Sequence, residues 1–122
     1  MASAALFDTT ILVDALVGHG AARTAIVSTP ERSITRMAWA EVLAAARGDA
    51  DRVEEFLRHF KVVELSEEIA RRGATLRAQR PAMALGDALT LAAAQVTGRI
   101  LVTRNTQDFP AEMPGIRVPY TL

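Results

Sequence analysis

The stretch AALFDTTILVDAL, residues 4–16, sets the reading of the whole chain. Residues 4–7 are an apolar run of strand length, and residues 9–17 carry a helical pattern that Gly18 stops. A strand passing directly into a helix is the first half of an α/β unit. At the junction stands Asp8, the only charged residue between Met1 and Val13.

The same alternation continues outward. Strand-like runs are expected at 32–35, 61–65, 99–103 and 115–118. Helices are expected at 21–28, ending before Pro30, and at 37–47, where Trp39, Val42, Leu43 and Ala46 share a face. A charged, exposed helix follows at 51–59, then one from an N-cap at Ser66 to about Gln79, with Glu67 and Glu68 in its first turn. Leu85, Leu89, Ala92 and Val96 mark a further apolar stripe in an alanine-rich stretch, 81–98, that reads as a buried helix. Short strands separated by helices imply an α/β fold, a mostly parallel sheet with helices on both faces. Ligands of such sheets sit beyond the carboxyl ends of the strands. Asp8 lies at one such end, and Arg104, Asn105 and Asp108 follow another.

Composition narrows the function classes. A chain of 122 residues, half of them hydrophobic and with no repeat or linker, fits one domain, 1–122, with one real core. There is no cysteine, hence no disulfide framework and no thiolate metal site, and the cytoplasm is the default location. The apolar run 2–7 is too short for a secretory signal and has no basic region before it, and no stretch approaches the length of a membrane span. Fourteen acidic and fourteen basic residues cancel, which excludes a uniformly basic nucleic-acid binder but leaves room for a local patch. All the bases but Lys61 are arginine, which beside so many alanines reads as compositional bias.

Most of the acids lie among bases, as Asp51, Glu54 and Glu55 do beside Arg52 and Arg58. Asp8, Glu41 and Asp87 do not. Glu41 has Met37, Ala38, Ala44 and Ala45 one helical turn away, and Asp87 is the sole charge in 81–98. An ionised carboxylate in apolar surroundings needs a cation, a strong donor or a proton. One shared divalent cation would answer for all three. Taken singly, Asp8 could cap the helix beginning at Thr9, Asp87 could favour a helix dipole, and Glu41 could lie on an exposed helix edge. Oxygen-only ligation points to Mg2+ or Mn2+, since zinc would recruit His or Cys. His19 and His59 stand outside these stretches and read as surface residues.

FDTTILVDAL, WAEVLAAA, LGDALTLAAAQ and LVTRNTQDF, in that order, resemble the four motifs of the PIN-domain ribonucleases, above all the small VapC-type toxins of type II toxin-antitoxin pairs. The resemblance spans nearly the whole chain. It implies a compact α/β sandwich around a five-stranded parallel sheet, and an acidic cluster that binds Mg2+ or Mn2+ and cleaves RNA phosphodiesters. By motif, Asp8, Glu41 and Asp87 match the three acidic positions. At the fourth, aspartate in many PIN proteins, stands Asn105 with Asp108 three residues on, which leaves open whether Asn105, Asp108 or neither reaches the metal. Asp14 matches no ligand position and is expected to cap or face solvent. Thr9 and Thr103 could orient ligands or phosphate, with capping or strand packing as their bland alternative, and Arg104 at the mouth of the site is expected to meet RNA phosphate. The family further implies a homodimer and an antitoxin seated in a helical groove near the site. Two rivals stand beside this reading: a PIN fold that has lost catalysis and only binds a partner, and a phosphoryl-accepting receiver domain. The receiver would need paired acids after its first strand and a lysine after its last, and this chain has neither.

Overall fold

The computed structural model describes residues 4–122, so Ala2 and Ser3 of the run 2–7 lie outside the described residues. Five strands form one fully parallel sheet: β1 (Ala4–Phe7), β2 (Glu31–Thr35), β3 (Lys61–Val63), β4 (Ile100–Val102) and β5 (Ile116–Arg117). Their spatial order is β3-β2-β1-β4-β5. Six helices intervene: α1 (Thr9–Leu16), α2 (Gly20–Val27), α3 (Arg36–Ala44), α4 (Ala50–Leu57), α5 (Glu67–Gln79) and α6 (Leu85–Val96). The expected strands and helices are all present, with ends shifted by a few residues. A receiver-type sheet has the order 2-1-3-4-5, so the strand order removes that rival.

The alternation of side chains along β1 divides the core. Ala5 and Phe7 point to one face and join Ile34 and Val102 under α1 to α4; Leu6 points to the other and joins Leu101 under α5 and α6. On the first face Phe60 meets Phe7 edge-on, with ring centroids 6.0 Å apart. On the second, α5 and α6 close tightly because Gly73 has no side chain, a Cβ there falling 2.6 Å from Cδ2 of Leu89.

Local chemistry explains the helix ends. The Ser66 hydroxyl accepts the Ile69 N–H at 3.1 Å, as its N-cap reading requires, and Thr35 does the same for Ala38 at 3.0 Å. Gly18, at φ +92°, ends α1 in a left-handed turn. The apolar stripe expected on α6 is wrong in detail. Leu85 is 55% exposed, while Ala88, Leu91, Ala92, Ala93 and Ala94 are buried, because α6 packs through small side chains against both the sheet and α5. Among the described residues no single helix is long and apolar enough to cross a membrane.

Strand order reverses around β1: the chain winds outward through β2 and β3, then returns to the other side of β1 with β4 and β5. The carboxyl ends of β1 and β4 therefore flank the crevice where ligands of open α/β sheets bind.

Candidate functional site

Four segments reach that crevice. Asp8 follows β1, Glu41 lies on α3 after β2, Asp87 is in the first turn of α6, and Asn105 follows β4. Together with Thr9, Thr10, Met37 and Thr90 they line a cavity of about 360 Å³.

Asp8 is the buried member, at 7% exposure. It occupies the N-cap position of α1, yet its side chain caps no helix N–H. Two hydroxyls hold it instead: Thr103 donates to Asp8 Oδ2 at 2.8 Å and Thr10 at 3.0 Å. Each threonine also accepts a backbone N–H from the loop after β4, Thr103 from Asn105 at 2.9 Å and Thr10 from Arg104 at 3.2 Å. The β4 loop is thus tied to Asp8 through two hydroxyl bridges. Thr10 was absent from the sequence reading, although DTT offered it as a second hydroxyl one residue on.

Glu41 is exposed, contrary to the apolar setting inferred for it. Of the neighbours that isolate it along the chain, Ala38 is buried and Met37 half-buried but Ala44 and Ala45 are exposed, so isolation in sequence is not burial in space. Its Oε1 accepts from the Thr9 hydroxyl at 3.0 Å, which aims it toward the cavity it lines.

Asp87 is half-buried, and its carboxyl is pushed up from 3.8 to about 7. Burial is the largest cause, followed by the adjacent Asp108 carboxyl and the charges of Asp8 and Glu41. Asp108 in turn accepts from Asn105 Nδ2 at 3.2 Å. Asn105 lines the cavity, while Asp108 lies close enough to Asp87 to raise its proton affinity.

Thr103 takes one of its expected roles, whereas Asp14, Arg104 and His19 sit elsewhere than expected. Thr103 is fully buried, so its hydroxyl orients Asp8 and does not reach the cavity surface. Asp14 neither caps nor faces solvent: it is 7% exposed and accepts from Arg104 Nε at 2.7 Å and Nη2 at 3.1 Å, and from Tyr120 Oη at 2.6 Å. The hydrogen bonds from Arg104 hold its carboxyl below the ordinary range against the opposing effect of burial. The signal was present, since Asp14 lies among Ile11, Leu12 and Ala15 on the buried face of α1. Its partner is ninety residues away, which no spacing reveals. The guanidinium fork of Arg104, expected on substrate, is engaged by this pair. His59 is exposed as expected, whereas His19 is half-buried, its Nδ1 accepting the Ala22 N–H and its ring stacked on Tyr120.

The donor set of the cavity is carboxylate, amide and hydroxyl oxygen, with no cysteine and no histidine, which suits a hard cation. Burial and the neighbouring carboxylates raise the proton affinity of Asp87, a cost that such a cation would relieve. As the side chains stand, no three acidic or histidine groups among the described residues are close enough to hold one ion. Ligation would require Glu41 and Asp87, the more exposed members, to swing toward the fixed Asp8.

A family model described as PIN domain matches residues 5–111. A chain of a toxin-antitoxin complex from Klebsiella pneumoniae is 37% identical, superposes with a TM-score of 0.91, and is matched over 98% of this chain and 100% of its own. DNA-bound VapBC from Salmonella typhimurium gives 19% identity and a TM-score of 0.79 over 97% of both chains. FitAcB from Neisseria gonorrhoeae gives 19% and 0.79 over 93% of this chain and 96% of that one. At such identity these two bear on the fold alone. No curated protein sequence matches the chain.

Proposed function

Because the chain belongs to the PIN-domain family, we propose that it is a Mg2+- or Mn2+-dependent endoribonuclease, the VapC-type toxin of a type II toxin-antitoxin pair, acting in the cytoplasm on RNA phosphodiesters. One observation carries this reading: Asp8, Glu41 and Asp87, drawn from three separate elements, line one cavity in which burial and neighbouring carboxylates raise the Asp87 carboxyl. A bound Mg2+ or Mn2+ supplies charge neutralisation at the phosphoryl group and activation of water. Asp8, Glu41 and Asp87 would hold it. Thr103 and Thr10 hold Asp8 in place by donating to one of its oxygens, and Thr9 orients Glu41. Asn105 and Asp108 complete the acidic wall beside Asp87.

The Klebsiella relative is a toxin-antitoxin complex, which supports an antitoxin partner here. Its seat on this chain would be the groove between α1, α2 and α4, where Leu16, Ile26, Phe56 and Phe60 are rimmed by Arg23 and Arg52. A homodimer belongs to the same reading.

Purified chain, free of any partner, is incubated with single-stranded RNA. Cleavage that EDTA stops, that Mg2+ or Mn2+ restores, and that leaves 5'-phosphate and 3'-hydroxyl ends is expected, and Asp8→Ala is expected to be inactive at saturating metal. Cleavage surviving EDTA, or an active Asp8→Ala protein, refutes it. A well-folded chain that cuts no RNA yet binds its antitoxin leaves the non-catalytic binding module as the function.

A further inference from the structure

Tyr120 lies beyond β5, outside every motif that marks the site, yet a continuous run of hydrogen bonds leads from it to Asp8. Its hydroxyl donates to Asp14 Oδ2, which also receives Arg104 Nε; the Arg104 backbone N–H donates to Thr10, and Thr10 donates to Asp8 Oδ2. We propose that Tyr120, Asp14 and Arg104 form a latch that positions the β4 loop, and with it Asn105 and Asp108, against Asp8 and Asp87. The proposal rests on the metal-dependent reading of the cavity and assigns these three residues a positioning role in it.

Three features favour a latch over ordinary packing. Asp14 is a buried charge bound by Arg104 through a two-point fork that fixes direction as well as distance. The Tyr120 ring is pinned by stacking on His19, with centroids 4.7 Å apart and planes at 22°, so the hydroxyl is presented to Asp14 in one orientation. The Arg104 backbone is the immediate neighbour of Asn105, whose side chain lines the cavity and donates to Asp108. Slackening the fork therefore moves the residue that faces Asp87. Outer-shell partners of this kind commonly change metal affinity by about 10- to 100-fold when removed.

Tyr120→Phe removes the hydroxyl and keeps the ring on His19; Asp14→Asn removes the charge that holds the fork. Each is compared with the parent in Mn2+ affinity, measured by calorimetry well below the unfolding temperature, and in hydrogen exchange of the Arg104 and Asn105 amides. The expected result is Mn2+ binding weakened about tenfold in both variants with faster exchange at those two amides. Lower melting temperature with unchanged Mn2+ affinity and unchanged exchange would overturn the latch and leave packing only. A parent protein that binds no Mn2+ would refute the metal site itself, and the exchange measurement would then decide the latch alone.

Discussion

Removing the charge of Asp87 should make the metal-free protein more stable, and by an amount that depends on pH. The folded carboxyl sits near 7 against an ordinary 3.8, so above pH 7 folding must hold an ion among Asp108, Asp8 and Glu41. At face value a shift of that size is worth more than about 4 kcal/mol. The cavity is open to water and counter-ions, which reduce the combined cost of burial and repulsion to about 2 kcal/mol. Asp87 also lies in the first turn of α6, where its charge contributes about 0.5 kcal/mol through the helix dipole, and this is lost in Asp87→Asn. The net gain is about 1.5 kcal/mol, or about 6 °C for a chain of this length. The sign with pH follows from the raised folded value. As pH falls from 8 the folded parent takes up a proton before the unfolded chain does, so the parent recovers stability and the gap closes. Other groups, such as Asp14 with its lowered value, are common to both proteins and cancel in the difference. Thermal unfolding of both in EDTA at pH 8 and pH 5 measures it. A variant that melts below the parent at pH 8, or a gain that is the same at both pH values, refutes the reasoning and favours a plain helix-terminus role.

With Mg2+ present the order should reverse, the parent gaining melting temperature and Asp87→Asn gaining little, as read by the same scan. Thr103→Val keeps shape but removes a donor to Asp8 and the acceptor of the Asn105 N–H, and should cost about 2 kcal/mol in urea unfolding with loss of most cleavage activity. Gly73→Val should lower stability by about 2 kcal/mol, because its side chain must enter space held by Leu89; retention of parental stability would show that α5 and α6 part easily. Glu64→Gln, which breaks the exposed pair with Arg36, should leave the melting temperature unchanged at about 0.15 M salt.

The alternation of strand and helix was legible because each run carries its own local signals: Gly18 after α1, Ser66 before α5, and the apolar run 4–7 into Asp8. The gathering of Asp8, Glu41 and Asp87 was legible for a partly mistaken reason. Isolation of charge along the chain goes with burial at Asp8 but not at Glu41, whose neighbours Ala44 and Ala45 are at the surface although Ala38 is buried. The same rule should have singled out Asp14, a fourth isolated acid on a buried helix face. Hydroxyl bridges at Thr10 and Thr103 and the Tyr120 contact join segments up to 106 residues apart, and no local pattern encodes such partners.

β1 has the same neighbour on one side as in most nascent α/β chains, the early β2, but on the other it is hydrogen-bonded to β4, almost a hundred residues downstream. Until residues 100–102 exist, one edge of the central strand stays open, with Leu6 and Phe7 beside unpaired backbone, an invitation to wrong partners. The strand that seals that edge also delivers Thr103, whose hydroxyl grips Asp8, and the loop bearing Asn105. Closing the sheet and arming the cavity are consequently one event. A growing or truncated chain lacking β4 would be at once sticky and without an assembled cavity, so that the proposed activity begins only when the hazard of aggregation ends.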